Sequence, residues 1–262
     1  MGRFPRLRGA VSALAAAFLV STALASSASA NTIRLSYEPG LYSGSGGAGE
    51  YKASNFTGMP VAALGSGVQV TTQGVTGAFQ TFCLEYAAHF YPGTTYSWSL
   101  DTDARQGGGI GHGTVNGSDP LDARTAYLYT QFWDGVLAWT TAGGQQKHYD
   151  YTVGAGRSAS GAALQNAIWY LEQERTLAEI GGVNSDAWQL VLQADAAVAQ
   201  GGVWYGRGLG DIRVLNLTDR NGADIQSQLV RIVPLPPAAL GGLALLAGLG
   251  VVRRRRRPAY GV

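Results

Sequence analysis

The chain contains a single cysteine, Cys83, so no disulfide can hold any part of its 262 residues together. Its first 30 residues are typical of a signal peptide: three arginines precede a short apolar run, and Ala28–Ala30 is a small-residue cleavage pattern. After export the thiol would face an oxidising compartment without a partner in its own sequence. It could then be buried as a small apolar side chain, bridge to another molecule, or be bonded to a group other than cysteine. We favour the third.

The other end of the chain carries a second targeting pattern. The motif Val233-Pro234-Leu235-Pro236 precedes an apolar stretch at 238–252 and a cluster of five arginines at 253–257. As a helix this stretch would span about 22 Å, which is short of a hydrocarbon core of about 30 Å. The arginines would keep their end on the cytoplasmic side. A sorting signal and an ordinary C-terminal membrane anchor are the two interpretations, and we favour the first.

Segment 233–262 resembles the PEP-CTERM group of bacterial sorting tails in its Val-Pro-Leu-Pro-Ala variant (VPLPA-CTERM), with Pro237 standing before the alanine. The resemblance implies cleavage near the proline motif by an exosortase-type processing protease. It also implies a transient inner-membrane anchor, through the single hydrophobic transmembrane helix at 238–252, in a Gram-negative bacterium. The mature protein would then reach the cell surface or the extracellular matrix.

Charge excludes one class of partner for the segment between the two ends. The whole chain has 19 basic and 17 acidic residues, but eight of the arginines lie in the end segments. Segment 31–232 therefore keeps 11 basic and 17 acidic residues, and its basic residues are scattered singly. We expect no nucleic-acid partner, because such a surface requires clustered basic side chains.

Hydrophobic patterns predict that segment 31–232 is one α+β domain. Strands are expected in its first and last parts and helices in its middle, which favours a β-sandwich or barrel with an inserted helical subdomain. The predicted strands are 32–37, 51–56, 68–72, 79–86, 94–100, 212–217 and 228–233, and the predicted helices are 121–137, 158–175 and 185–200.

Side-chain directions give Cys83 a candidate partner. In a strand over 79–86, alternation places Phe82 and Leu84 on one face and Cys83 on the other. In the second helix, Gln165 shares the apolar side with Trp169, where an amide without partners would cost about 1–3 kcal/mol. If this helix packs on the strand, the thiolate can attack the Gln165 carbonyl and expel ammonia, which leaves an internal thioester.

These two segments resemble the thioester domains of bacterial surface adhesins. Phe82-Cys83-Leu84-Glu85 matches their aromatic-Cys-aliphatic-acidic strand motif, and Gln165-Asn166-Ala167-Ile168-Trp169 matches their helix motif from its glutamine onward. Leu164 stands where the family usually has threonine. The resemblance implies covalent capture of a surface amine or a polysaccharide hydroxyl, that is, adhesion. Autocatalytic thioester formation would be the only chemistry, with no cofactor.

Glu85 and Glu172 could relay protons at this site if desolvated, and the alternative is that each is a solvated surface carboxylate. Trp169 could support the site or simply pack in the core. The alternative function is a non-covalent structural or polysaccharide-binding matrix protein in which Cys83 is simply buried. The three histidines lack a metal-binding spacing, and no pattern selects one of them as the base of a Cys-His hydrolase; they are His89, His112 and His148. Aromatic residues of the first helix should pack on the core, although an exposed subset could stack on sugars; they are Tyr127, Tyr129, Phe132 and Trp133.

Overall fold

The computed structural model describes residues 31–44, 49–59, 77–105 and 119–232. Both predicted targeting segments and the predicted strand 68–72 lie outside these ranges. Among the described residues, no helix is long and apolar enough to cross a membrane.

The domain is mixed α+β, as predicted, with one large antiparallel sheet. Its six strands are β1 (Thr32–Ser36), β2 (Glu50–Ser54), β3 (Phe79–Phe82), β4 (Thr95–Asp101), β9 (Ile212–Thr218) and β10 (Asp224–Arg231). They lie side by side in the order β10-β9-β4-β1-β2-β3. Two small two-stranded sheets pair β5 (Asp103–Ala104) with β6 (Asp119–Pro120), and β7 (Ala138–Thr140) with β8 (Gln146–His148).

The described residues between β4 and β9 form three helices: α1 (Ala123–Trp133), α2 (Ala155–Leu171) and α3 (Asp186–Val198). The side chains of Asp122 and Ser185 cap α1 and α3 by accepting backbone N–H groups of their first turns. Helix α2 has no side-chain cap and is buried along most of its length, so it is the central helix of the domain.

Strand β3 ends earlier than the sequence predicted. Its ladder with β2 stops at the pair Glu50 and Phe82, because β2 begins at Glu50. Every side chain from Phe79 to Glu85 is buried, so the expected split between a core face and an opposite face is wrong here. Cys83 lies in the core with no exposed area instead of pointing away from it.

The two outermost strands of the sheet, β3 and β10, come together beside Cys83. Cys83 forms an antiparallel bridge with Gln228, and the next N–H, of Leu84, donates to the Ser227 carbonyl at 3.0 Å. Within the two strands, the Tyr129 hydroxyl of α1 lies 2.7 Å from the Gln80 carbonyl oxygen of β3 and 3.2 Å from the Leu229 carbonyl oxygen of β10. The edges of the sheet are therefore joined at the predicted site.

Candidate thioester site

Cys83 and Gln165 lie in direct contact, although 82 positions separate them. The sulfur is 3.2 Å from Gln165 Oε1, which also accepts the Cys83 backbone N–H at 3.2 Å. On its other side, Gln165 Nε2 donates to the Cys83 carbonyl at 2.8 Å. Both side chains are fully buried, so the amide has the hydrogen bonds that its burial requires. The structure thus brings together the two residues that the sequence singled out.

A buried ion pair holds α2 on the sheet near this contact. Arg157, on α2, pairs with Glu50 of β2 at 2.6 Å, and neither side chain has exposed area. The Tyr149 hydroxyl donates to the same carboxylate at 2.8 Å. Glu50 lies opposite Phe82 on the neighbouring strand β3, and Cys83 follows Phe82 directly. The ion pair therefore fixes α2 next to the end of β3, beside Cys83.

A close approach between α2 and the loop before β2 is possible because position 161 is glycine. A Cβ added to Gly161 would lie 2.8 Å from Tyr42 Cβ and 3.3 Å from the Tyr149 hydroxyl. A larger residue would therefore push this part of α2 away from the loop before β2.

The surroundings of Cys83 keep its thiol protonated. Burial raises the pKa of Cys83, and the negative charges of Glu85 and Glu174 raise it further. A hydrogen bond from the Gly49 backbone acts in the opposite direction, because it stabilises the thiolate. The thiol hydrogen bonds to Gln165 Oε1, which holds the sulfur against the amide.

The supporting residues expected from the sequence lie in different surroundings. Glu85 Oε2 accepts the Ser227 N–H at 2.6 Å, whereas its buried Oε1 has no hydrogen-bond partner among the described residues. Burial raises the pKa of Glu85 to about 7. Glu172 instead accepts the Asp122 N–H at 3.3 Å, at the start of α1, and burial raises its pKa to about 8. The second acid whose charge acts on the thiol is Glu174, which the sequence analysis did not select.

Trp169 forms part of an aromatic and cationic group on the more exposed side of the site. Its ring meets Tyr86 edge-on at 4.9 Å, and the Arg175 guanidinium lies 5.0 Å from the Tyr86 ring and 5.8 Å from the Trp169 ring. Tyr86 is 40% exposed, and Arg175 donates to Asn166 Oδ1 at 2.9 Å. Trp169 is therefore held by two partners that themselves lie nearer the surface.

Several residues of the site were missed by sequence reasoning. Gly49 and Glu50 are adjacent, Arg157 and Glu174 lie on two other segments, and none of the four belongs to a recognisable motif. One signal was present, because Arg157 is the only charged residue in α2 and lies among small residues. A charge in such a helix indicates either an exposed face or a buried partner.

Replacing Gly49 by alanine is expected to destabilise the domain by about 1–3 kcal/mol, as overpacking does. The new Cβ would lie 2.4 Å from the Tyr42 carbonyl oxygen, so the strand start must shift and carry the Gly49 N–H away from Cys83. Urea unfolding would measure the loss. Gly143→Ala is the matched control, because its Cβ would meet nothing closer than 3.9 Å. Equal stability of the two variants would contradict the packing argument.

His89 and His148 are exposed, and neither contacts Cys83; His112 lies outside the described residues. Within the described ranges, no group of three or more histidine, cysteine, aspartate or glutamate side chains is arranged to hold a metal ion. No protein-family model, curated protein or solved structure matches the chain.

Proposed function

We propose that this domain forms an internal thioester between Cys83 and Gln165 and uses it to capture a surface amine or a polysaccharide hydroxyl covalently. The contact itself supports the proposal most: the sulfur lies 3.2 Å from Oε1 of an amide that is hydrogen-bonded on both sides. Such fixed placement gives the thiol the high effective concentration that attack on an unreactive amide requires.

Two successive acyl transfers would make up the chemistry. In the first, the Cys83 sulfur bonds to Cδ of Gln165 while the Cδ–Nε2 bond breaks, and the thiol proton leaves with Nε2 as ammonia. The Cys83 N–H already donates to Oε1, the atom on which negative charge develops. In the second, an amine or hydroxyl attacks Cδ, its proton returns to the sulfur, and an amide or ester joins the partner to residue 165.

Targeting completes the proposed function. The signal peptide at 1–30 would start export, and the tail at 233–262 would hold the protein at the inner membrane until an exosortase-type protease cut it. The capture domain would then act as an adhesion module at the cell surface or in the extracellular matrix. The meeting of β3 and β10 favours the barrel over the sandwich, with the three helices as the inserted subdomain.

Intact mass spectrometry of the purified protein tests the proposed bond. We expect a mass lower than the calculated value by one ammonia, and a gain of one methylamine after incubation with that amine. Cys83→Ala and Gln165→Ala should each show the full calculated mass and no reaction. Gln193→Ala is the matched control, since this glutamine hydrogen bonds to Tyr127 and should leave the reaction unchanged.

Hydrolysis during purification would hide the bond from intact mass but would leave glutamate at position 165. Peptide sequencing therefore decides the question. An unmodified Gln165 together with a free thiol in the denatured protein would contradict the proposal. It would favour the non-covalent structural or polysaccharide-binding alternative.

A further inference from the structure

A cleft of about 570 Å³ lies between α1 and the segment 203–211, and its lining residues are separate from those of the Cys83–Gln165 site. Helix α1 contributes Tyr127, Thr130 and Gln131 to its wall, and Asp134, which caps the C-terminal end of α1, lies beside them. Tyr127 thus lines this cleft as well as packing on the core.

The wall opposite α1 is held in a fixed shape. Trp204 donates its indole N–H to the Gly208 carbonyl at 2.8 Å, which closes the turn between them, and its ring meets Tyr127 at 5.9 Å. The guanidinium of Arg207, an exposed residue, lies 5.4 Å from the centre of the Trp204 ring. This cation–π contact orients Arg207 before any ligand arrives, which reduces the entropy lost on binding.

The polar groups of the cleft are balanced in charge. Arg231 forms ion pairs with Asp134 and, at 3.8 Å, with Asp211. The side-chain amide of Gln131 and the guanidinium N–H groups of Arg207 form no hydrogen bond with the described residues. With two carboxylates and two guanidiniums in the lining, the cleft offers acceptors and donors but no net charge.

We propose that this cleft binds a neutral, hydroxyl-rich saccharide unit of an extracellular polysaccharide. A hydroxyl both donates and accepts, so it suits a wall that holds both carboxylate acceptors and guanidinium donors. An anionic or cationic ligand would meet one repelling partner for each attracting one. The 72%-exposed Val203 provides apolar surface for the C–H face of a sugar ring, whereas Tyr127, which also lines the cleft, is only 6% exposed. This binding is non-covalent and does not depend on the thioester.

Affinity electrophoresis of the full chain tests the proposal, with dextran, soluble starch, galactomannan and hydroxyethyl cellulose as neutral probes and alginate as the anionic probe. We expect at least one neutral polymer to retard the protein. Arg207→Ala should weaken that retardation about tenfold or more, as loss of a charge-assisted hydrogen bond does, and Gln131→Ala, which removes a neutral hydrogen bond, about two- to tenfold. Arg220→Ala, an exposed arginine on another turn, is the matched control and should bind as the wild type does.

Cys83→Ala should also bind as the wild type does, which separates this proposal from the thioester. Thermal unfolding checks that the variants in the cleft remain folded. Three results would overturn the proposal: no retardation by any neutral polymer, retardation by alginate alone, or unchanged binding by folded Arg207→Ala and Gln131→Ala.

Discussion

Replacing Arg157 by methionine is expected to lower the free energy of unfolding by about 3–5 kcal/mol, as breaking a buried ion pair does. Arg157 and Glu50 have no exposed area, so the variant leaves a carboxylate in the core without its guanidinium. Urea unfolding at pH 8 measures the change. We also expect a smaller thioester fraction by intact mass, since Arg157 positions α2 next to the strand end of Cys83.

The pH dependence of this loss provides an internal check. Burial raises the pKa of Glu50, and the ion pair with Arg157 and the hydrogen bond from Tyr149 oppose that rise. Without the guanidinium, the Glu50 carboxyl should take up a proton as the pH falls, so the loss should be smaller at pH 5 than at pH 8.

Two further variants identify the cause of the Arg157→Met loss. Lys147→Met breaks an exposed ion pair with Asp186 and should cost only about 0–1 kcal/mol. Adding Glu50→Gln to Arg157→Met removes the unpaired charge and should restore part of the stability. If Arg157→Met cost no more than Lys147→Met, the ion pair would not be the element that holds α2 in place.

Glu172→Gln is expected to make the domain more stable at pH 8, on the order of 4 kcal/mol. Burial raises the pKa of Glu172 from 4.5 to about 8, so the folded state keeps a proton that the unfolded state releases. The wild type should therefore lose about 1.4 kcal/mol per pH unit from this group as the pH rises from about 4.5 to about 8. Urea unfolding across this range measures how the free energy of unfolding falls with pH. In Glu172→Gln, the share of this fall that comes from Glu172 should be absent.

Glu85 should also make the free energy of unfolding fall as the pH rises, but only up to about pH 7, because burial raises its pKa only to about 7. Glu179→Gln is the control variant: its carboxylate is exposed, hydrogen bonds to Thr176 lower its pKa, and it is ionised in both states above pH 5. The slope between pH 5 and pH 8 should be unchanged in that variant. A wild type whose stability does not fall over this range would contradict the burial of Glu172 as a neutral acid.

Much of this arrangement could be predicted from the sequence because its signals are local. Periodicity placed α1, α2, α3 and most strands of the sheet, and side-chain direction placed Gln165 toward the interior. The residues that complete the site could not be predicted, since their roles depend on pairing across the sheet. Glu50 lies beside Phe82 because β2 pairs with β3, and the ladder of β3 stops at Phe82, opposite the first residue of β2.

The choice between Glu172 and Glu174 shows a second limit of sequence reasoning. Both acids follow Gln165 closely, but α2 ends at Leu171, and beyond that point helical spacing no longer describes which side chain faces the thiol. Glu174 accepts the Tyr86 N–H at 2.7 Å, a contact made possible by the irregular chain after the helix.

The 82-position separation between Cys83 and Gln165 has a mechanical consequence once the two are bonded. A pulling force applied to the chain ends would pass through the thioester, and the enclosed loop, roughly 280 Å when extended, would carry no load. When an amine or hydroxyl of a partner molecule opens the bond, that partner becomes attached to residue 165 and the loop is free to extend. The captured state would then stretch under tension further than the unreacted state, and single-molecule force extension would record the added length.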